Sequence, residues 1–172
     1  MELDYAKIDP ELLPALEDFP ALNLDRGNIA KMRKIFAEQP APESPLKLIE
    51  ETSTALSDGI ETPVFLFKKT ERTNQPAIIW IHGGGYIFGS AYDERARVIS
   101  DFCDCTVISV EYRLAPEHPF PAGIEDCMTV LKWVSANSES LGINPAKLAI
   151  AGASAGAGMA AGVALMNRDT ID

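Results

Sequence analysis

The sequence predicts an α/β fold in which a mostly parallel sheet carries helices on both faces, preceded by a short helical segment. Three short, continuous apolar runs point to it: residues 77–81 (AIIWI), 106–110 (TVISV) and 148–151 (LAIA) have the character of strands covered on both sides. Segments of helical character separate them, and the order strand, helix, strand, helix, strand calls for parallel pairing through crossover helices. A chain of 172 residues, 47% hydrophobic and 23% charged, is also long enough for one ordinary domain, able to bury about 70% of its unfolded surface.

Taken in order, residues 1–45 read as a short helical segment and linker, and residues 46–172 as the α/β core. Pro10, Pro14 and Pro20 break the first forty residues into short acidic helices, of which 28–38 is the most helix-like, and Pro40, Pro42 and Pro45 stiffen the linker. Residues 46–53 and 64–67 read as two antiparallel strands joined through the turn-forming Ser57-Asp58-Gly59. After the strand at 77–81, residues 92–102 form a helix whose charges at 93–97 make a solvated face. A second helix spans 124–138, because Ile124, Cys127, Met128, Leu131 and Val134 fall on one face. The strand at 148–151 then leads into a third helix at 155–167. Trp80 and Trp133 are expected in the core, and Tyr112-Arg113 is expected to tie the loop after its strand to neighbouring backbone.

Charge and composition exclude several classes of function. A net charge of −10 repels phosphate backbones and anionic lipid, so neither nucleic acid nor an acidic membrane surface is an expected partner. Residues 148–166 hold no charge and repeat small residues at Gly152/Gly156 and Gly158/Gly162. They are nevertheless mostly Ala and Gly, without the large aliphatics and flanking anchors of a membrane span. Cys103, Cys105 and Cys127 leave an odd thiol under any pairing and match no zinc or redox spacing, so buried, reduced thiols are expected. The acidic N-terminus MELDYAKIDP lacks the apolar core of a signal peptide, which predicts a cytoplasmic protein.

Two motifs carry chemistry. Gly152-Ala153-Ser154-Ala155-Gly156 lies between the last strand and the last helix, the setting in which G-x-S-x-G holds a serine nucleophile on a sharp turn. Glycine is needed two residues to either side because a side chain there would strike the neighbouring strand or helix. The helix start aims free N–H groups and its positive dipole end at charge developing on a bound acyl group. The second motif is His82-Gly83-Gly84-Gly85-Tyr86, followed by Gly89, at the end of the strand at 77–81. Three successive glycines let backbone N–H groups approach a ligand and point the same way, as an oxyanion hole requires.

His82-Gly-Gly-Gly85, then Glu111-Tyr-Arg-Leu-Ala-Pro-Glu-His118 continuing Pro119-Phe-Pro-Ala122, then Gly152-x-Ser154-x-Gly156, in this order and spacing, resemble the hormone-sensitive-lipase-like family of α/β-hydrolase esterases. The likeness covers residues 46–168, with a weaker one to an N-terminal helical cap. It implies Ser154 as nucleophile, Gly84, Gly85 and the N–H of Ala155 as oxyanion donors, and Gly83 and His82 as residues shaping and holding that loop. It further implies hydrolysis of small or short-acyl carboxylic esters through an acyl-enzyme, with no cofactor and no metal.

The chain departs from the family at Ala153 and Ala157, where that family usually carries an Asp and a Gly. More consequentially, the triad of this fold runs Ser, Asp or Glu, then His, and no histidine follows Ser154. His118 sits in a Pro-rich turn with an expected structural role, and Asp169 and Asp172 follow the serine too closely to come from a later strand end. The resemblance therefore implies an N-terminal portion of an esterase, inactive alone, whose last strand exposes an apolar edge inviting self-association. Two other readings stand beside it. One is a hydrolase remnant acting as a non-catalytic binding module. The other is a dinucleotide-binding domain, since Gly152-x-x-x-Gly156-x-Gly158 is similar to the opening of short-chain dehydrogenases; against it, that fingerprint should come with the first strand, and the chain ends too early for the later strand that carries a ribose-binding acid about 20 residues on.

Overall fold

The computed structural model describes residues 5–14, 27–37 and 46–168. The predicted linker prolines, Pro20, Asp169 and Asp172 lie outside them. The chain divides into two compact units, residues 1–39 and 40–172. Among its described residues the first holds two single 3-10 turns, Tyr5–Lys7 and Pro10–Leu12, and helix α1, Ile29–Ala37, close to the predicted 28–38.

In the second unit β1 (Ile49–Ser57) and β2 (Ile60–Lys68) form the expected antiparallel hairpin, though each strand is longer than its apolar stretch. Backbone pairing carries the ladder through the polar positions down to the two-residue loop. That loop is Asp58-Gly59, and both residues have positive φ (53° and 79°), the mirror-image turn whose twist matches paired strands. Strand β3 (Gln75–Ile81), helix α2 (Glu94–Cys103), strand β4 (Thr106–Val110), helix α3 (Ala122–Ala136), strand β5 (Ile143–Gly152) and helix α4 (Ala155–Arg168) follow in the predicted order.

The five strands lie in the order β1-β2-β4-β3-β5. The parallel pairs are β3–β4 and β3–β5, and the hairpin joins β4 antiparallel. The sheet is thus mixed, parallel where the crossover helices lead and antiparallel where the hairpin was expected. Alternation along the strands separates two cores. Val64, Leu66, Ile79, Ile81, Ile108 and Val110 face α3 and α4, where Cys127, Met128, Val134, Met159 and Val163 meet them. Phe67, Trp80 and Val107 face α2 through Ala96. Strand β4 is buried at all five positions, as predicted. Strand β5 is not covered on both faces: it is an outer strand of the sheet, and its residues from Leu148 to Gly152 are half-buried or exposed. The charge-free run at 148–166 is divided by the turn at Ser154 into strand and helix, and no helix of the described residues is long and apolar enough to cross a membrane.

Three further expectations need correction. The charges at 93–97 are not a plain solvated face. Arg97 is buried, donating to Glu50 and Glu94, while Asp93 caps α2 through the Arg95 N–H and accepts from Trp80 Nε1 at 3.0 Å. Arg97 lies on the inward side of α2, where only ion pairing makes burial of its charge tolerable. Cys105 and Cys127 are buried free thiols, but Cys103 is exposed at the end of α2. Finally, Arg113 does not chiefly meet backbone. It forks onto the buried carboxylate of Asp126 at 2.8–3.0 Å, which also accepts the Arg113 N–H.

Candidate active site

Parallel pairing brings the two sequence motifs together. Ile81 is in register with Val110 on one side and Gly152 on the other, so His82, Glu111 and Ala153 emerge at the same end of the sheet. There the chain turns from β5 into α4 within two residues. Ala153 N–H donates to Ile81 O at 3.1 Å, and Ser154, exposed, takes φ of 50°, a left-handed conformation that costs a non-glycine residue roughly 1–2 kcal/mol. The Ala157 and Gly158 N–H groups close the first helical turn onto Ser154 O at 3.0 and 3.2 Å.

The flanking glycines are required in the way the sequence suggested. A Cβ on Gly152 would lie 2.5 Å from the Gly156 carbonyl and 2.7 Å from Ile81 O. On Gly156 it would collide with Ile81 O and stand 2.5 Å from His82 O. The glycine loop meets the same turn, because a Cβ on Gly83 would be 2.9 Å from Ala153 O and 3.5 Å from Ser154 Cβ. Strand end, serine turn and glycine loop therefore touch backbone to backbone.

Within the loop the carbonyls of His82, Gly83 and Gly84 are each held. His82 O accepts from Tyr112 Oη at 3.0 Å, Gly83 O lies 2.8 Å from His82 Nδ1, and Gly84 O accepts the Ile87 and Phe88 N–H groups at 3.1 and 2.9 Å. In a planar trans peptide the C=O and the following N–H point in opposite directions. Fixing the Gly83 and Gly84 carbonyls thereby fixes the Gly84 and Gly85 N–H groups facing the other way. Among the described residues, the N–H groups of Gly84, Gly85 and Ala155 have no intramolecular acceptor. Left-handed φ values at Gly84, Gly85, Tyr86 and Gly89 sustain the tight loop, and a side chain at Gly89 would collide with the His82 ring.

His82 is buried and its imidazole stacks on Tyr112, with ring centroids 4.2 Å apart and planes 15° from parallel. Because a carbonyl only accepts, Nδ1 carries the proton toward Gly83 O; Nε2 is buried with no partner. Burial lowers the His82 pKa from 6.5, against the raising effects of Gly83 O, Glu111 and Asp93. The ring is thus held at Nδ1 and on its Tyr112 face, with its titration displaced toward the neutral form. His118 is exposed in the loop after β4, its N–H donating to Leu114 O at 3.0 Å. It lines a cleft of about 290 Å³ with Tyr86, Tyr112, Phe120 and Met159. The described residues hold no group of His, Cys, Asp or Glu able to bind a metal ion.

Sequence reasoning missed Asp126 and Glu111 as framework residues. Glu111 Oε2 accepts the Ala91 N–H at 2.6 Å and ties the loop after Gly89 to the end of β4. The signal for Asp126 was its position in the helix beside Cys127 on the inward face, where a carboxylate requires a partner.

Comparison with known proteins agrees with this architecture. Residues 78–171 match the family described as alpha/beta hydrolase fold. Carboxylesterase NlhH of Mycobacterium tuberculosis is 36% identical over 167 residues, 94% of this chain and 52% of that protein. An arylesterase of Saccharolobus solfataricus is 38% identical over 141 residues, 81% of this chain and 45% of its own length. The solved esterase of Pyrobaculum calidifontis superposes with a TM-score of 0.77 at 32% identity, covering 94% of this chain and 54% of that one. The chain spans about half the length of the relatives it matches. By the family match over more than half of its length and its likeness to these esterases, the chain belongs to the α/β-hydrolase family, in the hormone-sensitive-lipase-like branch.

Proposed function

We propose that this chain supplies the nucleophile and the oxyanion donors of a serine carboxylesterase acting on small or short-acyl esters. Ser154 Oγ attacks the ester carbonyl carbon, and the N–H groups of Gly84, Gly85 and Ala155 receive the charge that develops on the carbonyl oxygen. Collapse expels the alcohol and leaves the acyl group on Ser154, from which water releases the acid. One observation carries the reading: an exposed serine at φ 50° on a strand-to-helix turn packed against the glycine loop, with three N–H groups that have no acceptor among the described residues. Similarity to a carboxylesterase and an arylesterase supports the substrate class. The three free thiols support a reducing compartment such as the cytoplasm.

The mechanism needs a base. The His82 ring is buried, with its Nδ1 proton committed to Gly83 O, and no histidine follows Ser154. The 172-residue chain by itself is therefore expected to turn over esters barely or not at all, since loss of the base in a serine protease costs on the order of 10⁶ in kcat. The test is intact mass together with hydrolysis of a short-acyl chromogenic ester, with Ser154→Ala as control. Turnover by a chain of confirmed 18.6 kDa that vanishes in the variant would show that a base is present and overturn the expectation of inactivity. Turnover equal to the variant's background would agree with a nucleophile lacking its partners. The engaged His82 also favours a second reading, a binding module in the same pocket; saturable ester binding without any acylation of Ser154 would support it.

A further inference from the structure

We propose that Tyr112 is a positioning residue for the oxyanion donors, acting through His82; this rests on the reading of Gly84 and Gly85 as those donors. Tyr112 lies one residue past Glu111 in the loop after β4, distant in sequence from both motifs, and is buried at 2% exposure. It holds His82 twice. Its hydroxyl donates to the His82 carbonyl oxygen at 3.0 Å, and its ring stacks on the imidazole at 4.2 Å. His82 in turn uses Nδ1 to hold Gly83 O at 2.8 Å. Since that carbonyl and the Gly84 N–H belong to one planar peptide, the ring of Tyr112 sets the plane from which the donor is aimed.

The clamp has no slack. The His82 carbonyl is confined between the Tyr112 hydroxyl and the backbone of Gly156, where even a Cβ would approach to 2.5 Å. A Cβ on Gly123, at the start of α3, would lie 3.3 Å from Tyr112 Cδ2, so the phenol is backed by helix backbone. His82 Nε2 has no partner, leaving Nδ1, the carbonyl and the stacked face as its attachments. Two of these three depend on Tyr112. Without its hydroxyl the His82 carbonyl is buried unpaired, which favours rotation of the His82–Gly83 peptide and of the loop beyond it.

The test compares the chain with its Tyr112→Phe variant, which keeps the stacked ring and removes the donor. Two readouts are taken. The first is the ¹⁵N order parameter of the Gly83 and Gly84 amides, with Gly59 of the hairpin turn as an unaffected reference. The second is stoichiometric phosphonylation of Ser154 by a p-nitrophenyl alkylphosphonate: the serine oxygen bonds to phosphorus, nitrophenolate leaves, and the hydroxyl proton passes to solvent. The expected result is a fall of the loop order parameters from about 0.85 toward 0.6. With it should come an about tenfold slower limiting rate of phosphonylation at unchanged half-saturation, the mark of lost transition-state aim rather than lost binding. Replacement of Tyr112 by p-aminophenylalanine, which restores an N–H donor on the same ring, should recover much of both; should the Phe variant not fold, this replacement decides, since a folded chain with the donor restored but loop order and rate still lowered overturns the proposal.

Unchanged order parameters in Tyr112→Phe overturn it whatever the rate does. Falling order parameters in a chain whose Ser154 is not phosphonylated even with Tyr112 in place support the positioning role, the unreactive serine then agreeing with a nucleophile that lacks its base.

Discussion

Ser154 holds a conformation that its side chain makes costly, and the geometry of the turn accounts for it. Its φ of 50° carries the chain from β5 into α4 in a space lined by the carbonyls of Ile81, His82 and Ala153. Replacement by glycine removes the penalty, so Ser154→Gly is expected to raise stability by about 1 kcal/mol in urea unfolding while eliminating any Ser154-dependent reaction. His82 supplies a second prediction at this scale. Burial lowers its pKa from 6.5, so below pH 6.5 the unfolded chain takes up a proton that the folded chain resists. This contribution to stability is complete above pH 6.5 and is lost as pH falls from there toward the folded value. Urea midpoints measured through that range should decline, and the decline should be shallower in His82→Gln.

Among the elements, α3 anchors the loop that frames the site. Asp126 is buried to 1% exposure and accepts from three Arg113 nitrogens, the backbone N–H, Nε and Nη2, at 2.8–3.0 Å. Arg113→Met strands that carboxylate without its cation and is expected to cost about 3 kcal/mol, read from the shift in denaturation midpoint. The core elements from β1 to α4 were legible in the sequence because each is short, apolar on its inward face, and punctuated by Gly, Pro or Asp. Boundaries were less so. Strand β5 begins at Ile143, among Asn144, Pro145 and Lys147, since Gln75 and Ile143 pair across a bulge that no side-chain pattern announces. The same limit applies to the site. Ser154 and the glycine loop could be found because their residue types are sterically forced. The Tyr112–His82 stack and the Arg113–Asp126 fork join residues that periodicity cannot relate, and only the folded register brings them together.

At the scale of the whole molecule, β5 lies at the margin of the sheet, its far side unpaired among the described strands, and α4 next to it exposes Ala157, Gly158, Ala161, Ala164 and Leu165. An apolar edge of this kind is a template for another strand. Sedimentation equilibrium is expected to show concentration-dependent association, and Ala149→Lys, placing a charge on the exposed margin of β5, should weaken it; a chain that stays monomeric at all loadings contradicts the expectation. The contact of strand end, serine turn and glycine loop has a consequence for how such a molecule can be dissected. The backbone N–H groups proposed as oxyanion donors at Gly84, Gly85 and Ala155 are possessed by every amino acid except proline, so no ordinary codon change deletes them singly. Alanine at Gly84 would collide with the Phe88 carbonyl, and any loss it caused would report a displaced loop. A substitution survey of this chain would thus mark positions 83, 84, 152 and 156 as intolerant while finding no functional group there to remove. Only chemical replacement of an amide by an ester, which removes the N–H and spares the shape, would separate what those positions do from the room they occupy.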